Sequence, residues 1–392
     1  MKSPRNSFLV SVLIDALHSG GVEKVALNQV LNLNKIGVKS NLVVLRRTDY
    51  SNHPFKELIH KVPIVFLDDL LPPILRTSFK VPFFSFLSLY HFSYPILLPF
   101  VIAKKELGLV ISHGTYTCFS AILFRLTKGV DFYAYIWDPI YYILQKVYLA
   151  GPIHIASPIL LPVARIVDWV IVKSAKGVLV GGKSHVNYLK SLGAQNVNII
   201  YPGIEPLKKI STKKNYLVSV TAWKEGKNPE YNLEIISQLP NSRLVMAGSW
   251  YPSQLERDFR DQVRKRGLAH QVEVKGKISE TDLKRLYSKA LVFLQTHDDR
   301  GFGLSTLEAA SCGTTFVIPE GQGVCELFEN GVDGYFLPEH DTTGIVKKLA
   351  LLLANPSQAK AMGEHAWKKV VANYSWEKHA LAIANLIKGE RD

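Results

Sequence analysis

His297-Asp298-Asp299-Arg300-Gly301-Phe302-Gly303-Leu304-Ser305-Thr306-Leu307-Glu308-Ala309-Ala310-Ser311-Cys312-Gly313 is the stretch from which the fold of this chain is read. It follows Leu291 to Leu294, a run short and apolar enough for a buried strand. After it, Leu304, Leu307 and the pair Ala310/Ser311 recur at helical spacing until Gly313, a helix stop. Strand, glycine turn and helix start in that order bring unpaired backbone N–H groups and the positive end of a helix dipole to one point. Such a point suits an anion or a ring of hydroxyls.

The same alternation extends in both directions. Phe8 to Ile14 is a short apolar strand, His18-Ser19-Gly20-Gly21 a turn, and Val22 to Lys35 a helix with Val25, Val30, Leu33 and Ile36 facing inward. The Gly20-Gly21 turn is a second place where amides can face phosphate, a weak signal alone because many α/β proteins carry a glycine pair there. Further strands are expected at Leu42–Leu45, Ile64–Leu67, Leu109–Ser112, Phe132–Trp137, Val178–Val180 and Val197–Ile200. The second half continues with Tyr216–Val220, Arg243–Ala247, Val272–Lys275, Leu291–Gln295, Thr315–Ile318 and Tyr335–Leu337. Helical stretches separate most of them, so the fold class is α/β with parallel sheets wound on both faces. The turn Tyr201-Pro202-Gly203-Ile204-Glu205 closes the first half, and the polar, basic Pro206 to Asn215 reads as a linker. Ser375 is placed to cap a last helix.

The 392 residues are enough for two ordinary domains, and 47% apolar with 20% charged residues describes a globular chain rather than a disordered one. Cys118, Cys312 and Cys325 are scattered without metal or redox spacing, which points to a reducing compartment. Of the net charge of +14, most lies early: residues 1–205 carry 21 Lys/Arg against 11 Asp/Glu. A basic half attracts anionic lipid, nucleic acid or a phosphorylated acceptor, or is simply a soluble basic surface. Clustered cations interleaved with aromatics in a nucleic-acid module are absent, so no nucleic acid is expected as partner. Lys2 and Arg5 before Phe8–Ile14 imitate a secretion signal, but Asp15 interrupts the run and no small-residue cleavage site follows. Residues 81–103 hold no Asp, Glu, Lys or Arg, yet Pro82, Pro95 and Pro99 argue against a straight spanning helix. With the aromatic patch Ile140 to Leu149, they form either a surface that dips into a membrane interface or holds a lipid-linked acceptor, or buried helices of the first domain.

The opening stretch closely resembles the donor-binding signature of the retaining GT-B glycosyltransferases of glycosyltransferase family 4 (glycosyl transferases group 1), which includes sucrose synthase-like and phosphatidylinositol mannosyltransferase-like enzymes. There a Glu precedes Gly-Phe-Gly and a second Glu follows the first after seven positions; here the second is Glu308 and Arg300 stands for the first, with Asp298 or Asp299 the nearest acid. The resemblance implies two Rossmann-like, doubly wound domains facing an interdomain cleft. Residues 1–205 would bind the acceptor and 206–374 the nucleotide-sugar donor, with 375–392 a helix crossing back to the first domain. It also implies that Glu308 holds the ribose hydroxyls, and that Arg300, Gly301, Phe302, Gly303, Leu304 and Ser305 line the sugar and diphosphate. The Gly20-Gly21 loop, followed by Val22-Glu23-Lys24, would face the diphosphate, and Glu326 would follow a glycine-containing loop near the donor.

Three residues are candidates for the chemistry. Lys227 matches the family lysine that neutralises the departing pyrophosphate, or is a solvated loop lysine; Thr221 and Ala222 stand where the family carries an Arg, with Lys224 nearby. His113 matches a family histidine beside the donor sugar and ends a strand where open α/β sheets bind ligands, or is structural. Asp138 ends another strand, placed to meet an acceptor hydroxyl or to cap the following turn, the commoner role on general grounds. No Asp-x-Asp and no His/Cys cluster occurs, so neither a metal nor another cofactor is expected beyond the donor. The implied activity is retaining transfer of a sugar from a nucleoside diphosphate to a hydroxyl of a lipid-linked or glycan acceptor. It would be cytoplasmic, with peripheral contact to anionic membrane. The alternative is a catalytically weak nucleotide-sugar-binding partner or regulatory protein.

Overall fold

The computed structural model describes residues 9–18, 20–47, 53–70, 80–81, 84–88, 102–145, 155–207, 212–224, 226–297 and 301–389. The chain divides into two compact units, the first Met1–Tyr201 with His379–Asp392 and the second Pro202–Lys378.

In unit 1, β1 (Val10–Ala16), β2 (Ser40–Arg46) and β3 (Ile64–Phe66) pair in parallel with β2 central. An antiparallel pair, β4 (Lys80–Val81) and β5 (Phe84–Ser88), intervenes in sequence. The parallel run β6 (Leu109–His113), β7 (Phe132–Ile136), β8 (Gly177–Val180) and β9 (Val197–Ile199) follows. The N–H of Leu109 donates to the carbonyl of Leu9 at 2.9 Å, so β6 starts beside β1. The spatial order is therefore β3-β2-β1-β6-β7-β8-β9, which reverses direction between β1 and β6. Ligands of doubly wound sheets sit at the carboxyl ends of the strands flanking such a reversal. Helix α1 (Gly21–Lys35) leaves β1, and α2 (Thr115–Lys128) leaves β6. Then come α3 (Ile140–Ile143) and α4 (Ser157–Ser174). The central strands β1, β2, β6, β7 and β8 are largely buried among Val, Ile, Leu and Phe, as a sheet covered by helices requires.

Unit 2 repeats the plan. Its six-stranded parallel sheet runs β14 (Val272–Gly276), β12 (Leu244–Ala247), β10 (Lys214–Val220), β15 (Ala290–Leu294), β16 (Thr315–Pro319) and β17 (Tyr335–Leu337). A small pair, β11 (Trp223–Lys224) with β13 (Trp250–Tyr251), sits beside it. In chain order this is again 3-2-1-4-5-6, with the reversal between β10 and β15. Helix α5 (Pro229–Ser237) follows β10, α6 (Glu280–Lys289) precedes β15, and α7 (Leu304–Ser311) follows it. Gly203 lies so close to the chain near Trp376 that a Cβ would come 2.5 Å from that backbone, and Ile204 N–H donates to Tyr374 C=O at 2.8 Å. The strand leading into unit 2 is thus stitched to the segment before the last helix, α8 (Trp376–Lys388), whose start Ser375 Oγ caps by accepting from Lys378 N–H at 3.1 Å.

Candidate functional site

The carboxyl ends of β10 and β15 receive two of the residues singled out in the sequence. After β10 the chain makes a loop anchored by Trp223, which is fully buried, donates from Nε1 to Ala247 C=O at 3.0 Å and stacks on Trp250 at 5.3 Å. Gly226 at φ +86° and Asn228 at φ +41° then turn the backbone sharply, between them Lys227, itself buried, before Pro229 opens α5. A buried ammonium at a strand end is held by geometry rather than solvated, which fits electrostatic work better than a loop lysine in water.

After β15 come Gly301, Phe302 and Gly303 and then α7. The loop is fixed by backbone pairing: Gly323 N–H donates to Gly301 C=O at 3.1 Å and Val324 N–H to Phe302 C=O at 2.6 Å. Gly303 has φ +85° and ψ +47°, and a Cβ there would lie 2.5 Å from Gln322 Oε1 and 2.8 Å from Val324 Cγ1. Only glycine fits both the left-handed backbone and the approach. The first-turn amides of α7, with the dipole behind them, therefore have a fixed direction. One helical turn on, Glu308 is half-buried and its Oε2 accepts from the Tyr287 hydroxyl at 3.2 Å. Tyr287 is buried; desolvation, then the Glu308 charge, push its hydroxyl well above the ordinary value, so it remains a donor. Glu308 is thus an oriented carboxylate, not one lost among apolar neighbours. Glu326 lies half-buried in the short helical turn Gly323–Leu327. Arg300, Asp298 and Asp299 fall outside the described residues, as do Ser19, Phe8 and parts of the 81–103, 140–149 and 206–215 segments.

The reversal in unit 1 holds the other pair. Gly20 is the extended residue before α1 and Gly21 its first residue. A Cβ on Gly20 would sit 2.5 Å from Glu23 Oε2, so the helix folds its own carboxylate over these amides. His113 closes β6, buried at 3% exposure. Its Nδ1 accepts from Trp137 Nε1–H at 3.3 Å, which puts the ring proton on Nε2, where it donates to Gln29 Oε1 at 3.1 Å. His379, on α8, donates from Nδ1 to Tyr201 C=O at 2.8 Å, and its Nε2 lies 3.2 Å from the same Gln29 oxygen. Gln29 Nε2 is buried without a partner. The Gln29 carboxamide is neutral, and its oxygen lies between the two imidazoles. Burial pushes His113 down to about 3, with His379 adding to it, and burial brings His379 to about 4. Both rings are neutral at physiological pH. Tyr135 packs on His113 at 4.7 Å and on Trp137 at 4.6 Å, closing the cluster.

The expectation that Asp138 caps the following turn is corrected. Asp168, distant in sequence, accepts from Ile140 N–H at 2.9 Å, Tyr141 N–H at 3.0 Å and the Tyr188 hydroxyl at 2.8 Å, so it is the cap of α3. Asp138 is half-buried, 3.5 Å from His185 Nε2. The expected strands recur with ends moved by one to two residues; β1 runs Val10–Ala16, so Asp15, which seemed to interrupt it, lies within it. Gln29, Trp137, His379 and Tyr287, the partners of His113 and Glu308, carry no signal in the sequence because folding alone brings them near. Among the described residues no group of three or more His, Cys, Asp or Glu could hold a metal ion, and no helix is long and apolar enough to cross a membrane. All three cysteines are unpaired.

With two such sheets, this is a GT-B fold. Sucrose-phosphate synthase from Thermosynechococcus elongatus superposes with a TM-score of 0.80 at 17% identity, over 97% of this chain and 98% of that one. Anabaena Alr3699/HepE in complex with UDP and glucose gives 0.73 at 13% identity, over 97% and 99%. Residues 204–369 match the model of the family described as Glycosyl transferases group 1. That match spans less than half of the chain and includes the site of unit 2, and the fold of the whole chain is that of these GT-B structures. Among curated proteins, the lipopolysaccharide core biosynthesis mannosyltransferase LpcC of Rhizobium leguminosarum bv. viciae is 30% identical over 117 residues, 30% of this chain and 33% of that one. The GDP-mannose-dependent alpha-(1-6)-phosphatidylinositol monomannoside mannosyltransferase of Mycolicibacterium smegmatis is 28% identical over 167 residues, 41% and 43% of the two chains. The chain thus spans about a third of the length of the curated relatives it matches.

Proposed function

We propose that this chain is a retaining, metal-independent glycosyltransferase that moves a sugar from a nucleoside diphosphate to a hydroxyl of a lipid-linked or glycan acceptor. The observation that carries the reading is the pair of strand ends at the unit 2 reversal: buried Lys227 after β10, and the α7 amino terminus with tyrosine-held Glu308 after β15. Glu308 would accept from the ribose hydroxyls, while the first amides of α7 and the Lys227 ammonium take the diphosphate. The acceptor oxygen bonds to the anomeric carbon on the face that the diphosphate leaves. The carbon–phosphate oxygen bond breaks, and the acceptor proton passes to the departing oxygen. Negative charge grows on that oxygen, so a positive group fixed beside it lowers the barrier. Relatives named as mannosyltransferases and a fold neighbour holding UDP and glucose support a nucleotide-sugar donor. We place the protein in the cytoplasm, peripheral to a membrane.

The test is a screen of UDP- and GDP-sugars against the purified chain. One donor should raise the unfolding temperature, and the chain should release nucleoside diphosphate from it equally well with EDTA present. No stabilisation by any of them would sink the reading, and inhibition by EDTA would remove metal independence. A second reading, a GT-B protein that binds the donor without efficient transfer, is favoured by Arg300 and by Thr221-Ala222 standing where the resembled enzymes carry Glu and Arg. It predicts donor binding without turnover, and turnover gained in Arg300→Glu.

A further inference from the structure

Helix α4 is apolar on two sides. Its inward side buries Ala164, Ile171 and Val172, and Asp168 fastens it to the start of α3 and to Tyr188. The other side carries Ile159, Val163, Ile166, Trp169 and Val170, with Ile155 just before the first turn. Steps of three and four residues set these in one stripe along the helix. That stripe is in solvent: Ile155 is 84% exposed, Ile159 71%, Ile166 59% and Trp169 48%. More than half of the exposed large hydrophobic residues among those described lie in it. Single exposed apolar residues need no partner, but a contiguous stripe marks a contact.

The charges say which contact. Asp168 is the helix's sole acid and is fully buried, whereas Arg165 and Lys173 are exposed. At the carboxyl end Arg125 donates to the Ser174 carbonyl, and beside it Leu126 is 75% exposed. The surface is therefore apolar, edged by cations, with a tryptophan at its margin and no exposed carboxylate on the helix. Two copies packed stripe to stripe would bring cations to an apolar seam with no acid to meet them. An anionic lipid surface supplies apolar depth and negative headgroups together.

Position adds a purpose. Lys176 N–H donates to Phe132 C=O at 2.8 Å, at the start of β7, whereas Asp168 meets Ile140 and Tyr141 just past its end. The helix thus passes from one edge of the sheet to the other between Asp168 and Ser174, and its first eleven residues run on by about 16 Å at 1.5 Å per residue. They run past the edge where His113 and Asp138 lie.

We infer that the α4 stripe rests in the headgroup region of an anionic bilayer, holding unit 1 so that a membrane-anchored acceptor presents its hydroxyl at the carboxyl ends of β6 and β7. The acceptor half of this statement rests on the transferase reading; the lipid contact does not. The whole protein should float with vesicles of phosphatidylcholine and phosphatidylglycerol, and far less with phosphatidylcholine alone. Ile159→Ser with Ile166→Ser should lower the partition at least about tenfold, since each change removes apolar burial. Stabilisation by nucleotide sugar should not change. Brominated lipid should quench the wild-type fluorescence more than that of Trp169→Phe. The inference is overturned if the wild type does not float, if the double variant floats as well as the wild type, or if the variant merely dissolves a dimer. Flotation without any nucleotide-sugar binding would leave the lipid contact standing and remove the transferase reading.

Discussion

The two units share one topology and put opposite electrostatics at the same point in it. At the unit 1 reversal, His113, Gln29, His379 and Trp137 form a buried network of neutral groups, both imidazoles held far below their ordinary range. At the unit 2 reversal the side chains are Lys227 and Glu308, beside a helix start whose direction Gly303 fixes. The sheet order supplies the place; the residues at the strand ends decide whether it is an uncharged, preorganised wall or a seat for an anion. A wall of neutral donors and acceptors suits hydroxyls, and a fixed cation with helix amides suits a diphosphate.

The largest effect is expected from Lys227→Ala. If the ammonium acts on the leaving group, turnover should fall about 100- to 1000-fold, with a much smaller change in affinity for the nucleoside diphosphate. Equal losses in both would make Lys227 a binding residue only. Next comes acidity in unit 1. An unfolded histidine takes a proton near pH 6.5, whereas His379 stays neutral to about pH 4 and His113 to about pH 3. The unfolded state therefore binds more protons in that window, and the stability of unit 1 is lost as pH falls from about 6.5 towards 4, by about 1.4 kcal/mol per pH unit for each ring. Hydrogen exchange of the β6 and β7 amides at pH 7 and 5.5 reads this locally, and Gln29→Glu, which sets a carboxylate between the rings, should flatten the slope. The smallest effect is Tyr287→Phe. Removing one hydrogen bond to Glu308 should weaken nucleotide binding about three- to tenfold by calorimetry; no change would mean that the tyrosine does not orient the carboxylate.

Most of the fold was legible in the sequence because buried parallel strands are nearly continuous apolar runs, and helical periodicity between them announces the winding. Lys227, Gly303 and Glu308 were legible through the resemblance of their motifs to a known family, and local order placed the glycine turn and the helix start after their strand. The partners were not. Gln29 and His379 meet across 350 positions, and Tyr287 reaches Glu308 from the preceding helix. Asp138 shows the same limit from the other side, since a local rule chose it as a cap and a buried aspartate from a distant helix took that role. The apolar stripe of α4 was hidden differently: hydrophobic periodicity tells that a helix has an apolar face, and a helix apolar on two sides does not tell which one the core takes.

Whether unit 2 rather than unit 1 grips the nucleoside diphosphate is decided by measuring UDP and GDP affinity in Glu308→Ala and His113→Asn. If Glu308 holds two ribose hydroxyls, Glu308→Ala should weaken the preferred nucleotide about thirtyfold. His113→Asn should stay within about twofold of the wild type, because its ring lies in the other network. Unchanged affinity in Glu308→Ala, with the loss falling on His113→Asn, would assign the nucleotide to unit 1.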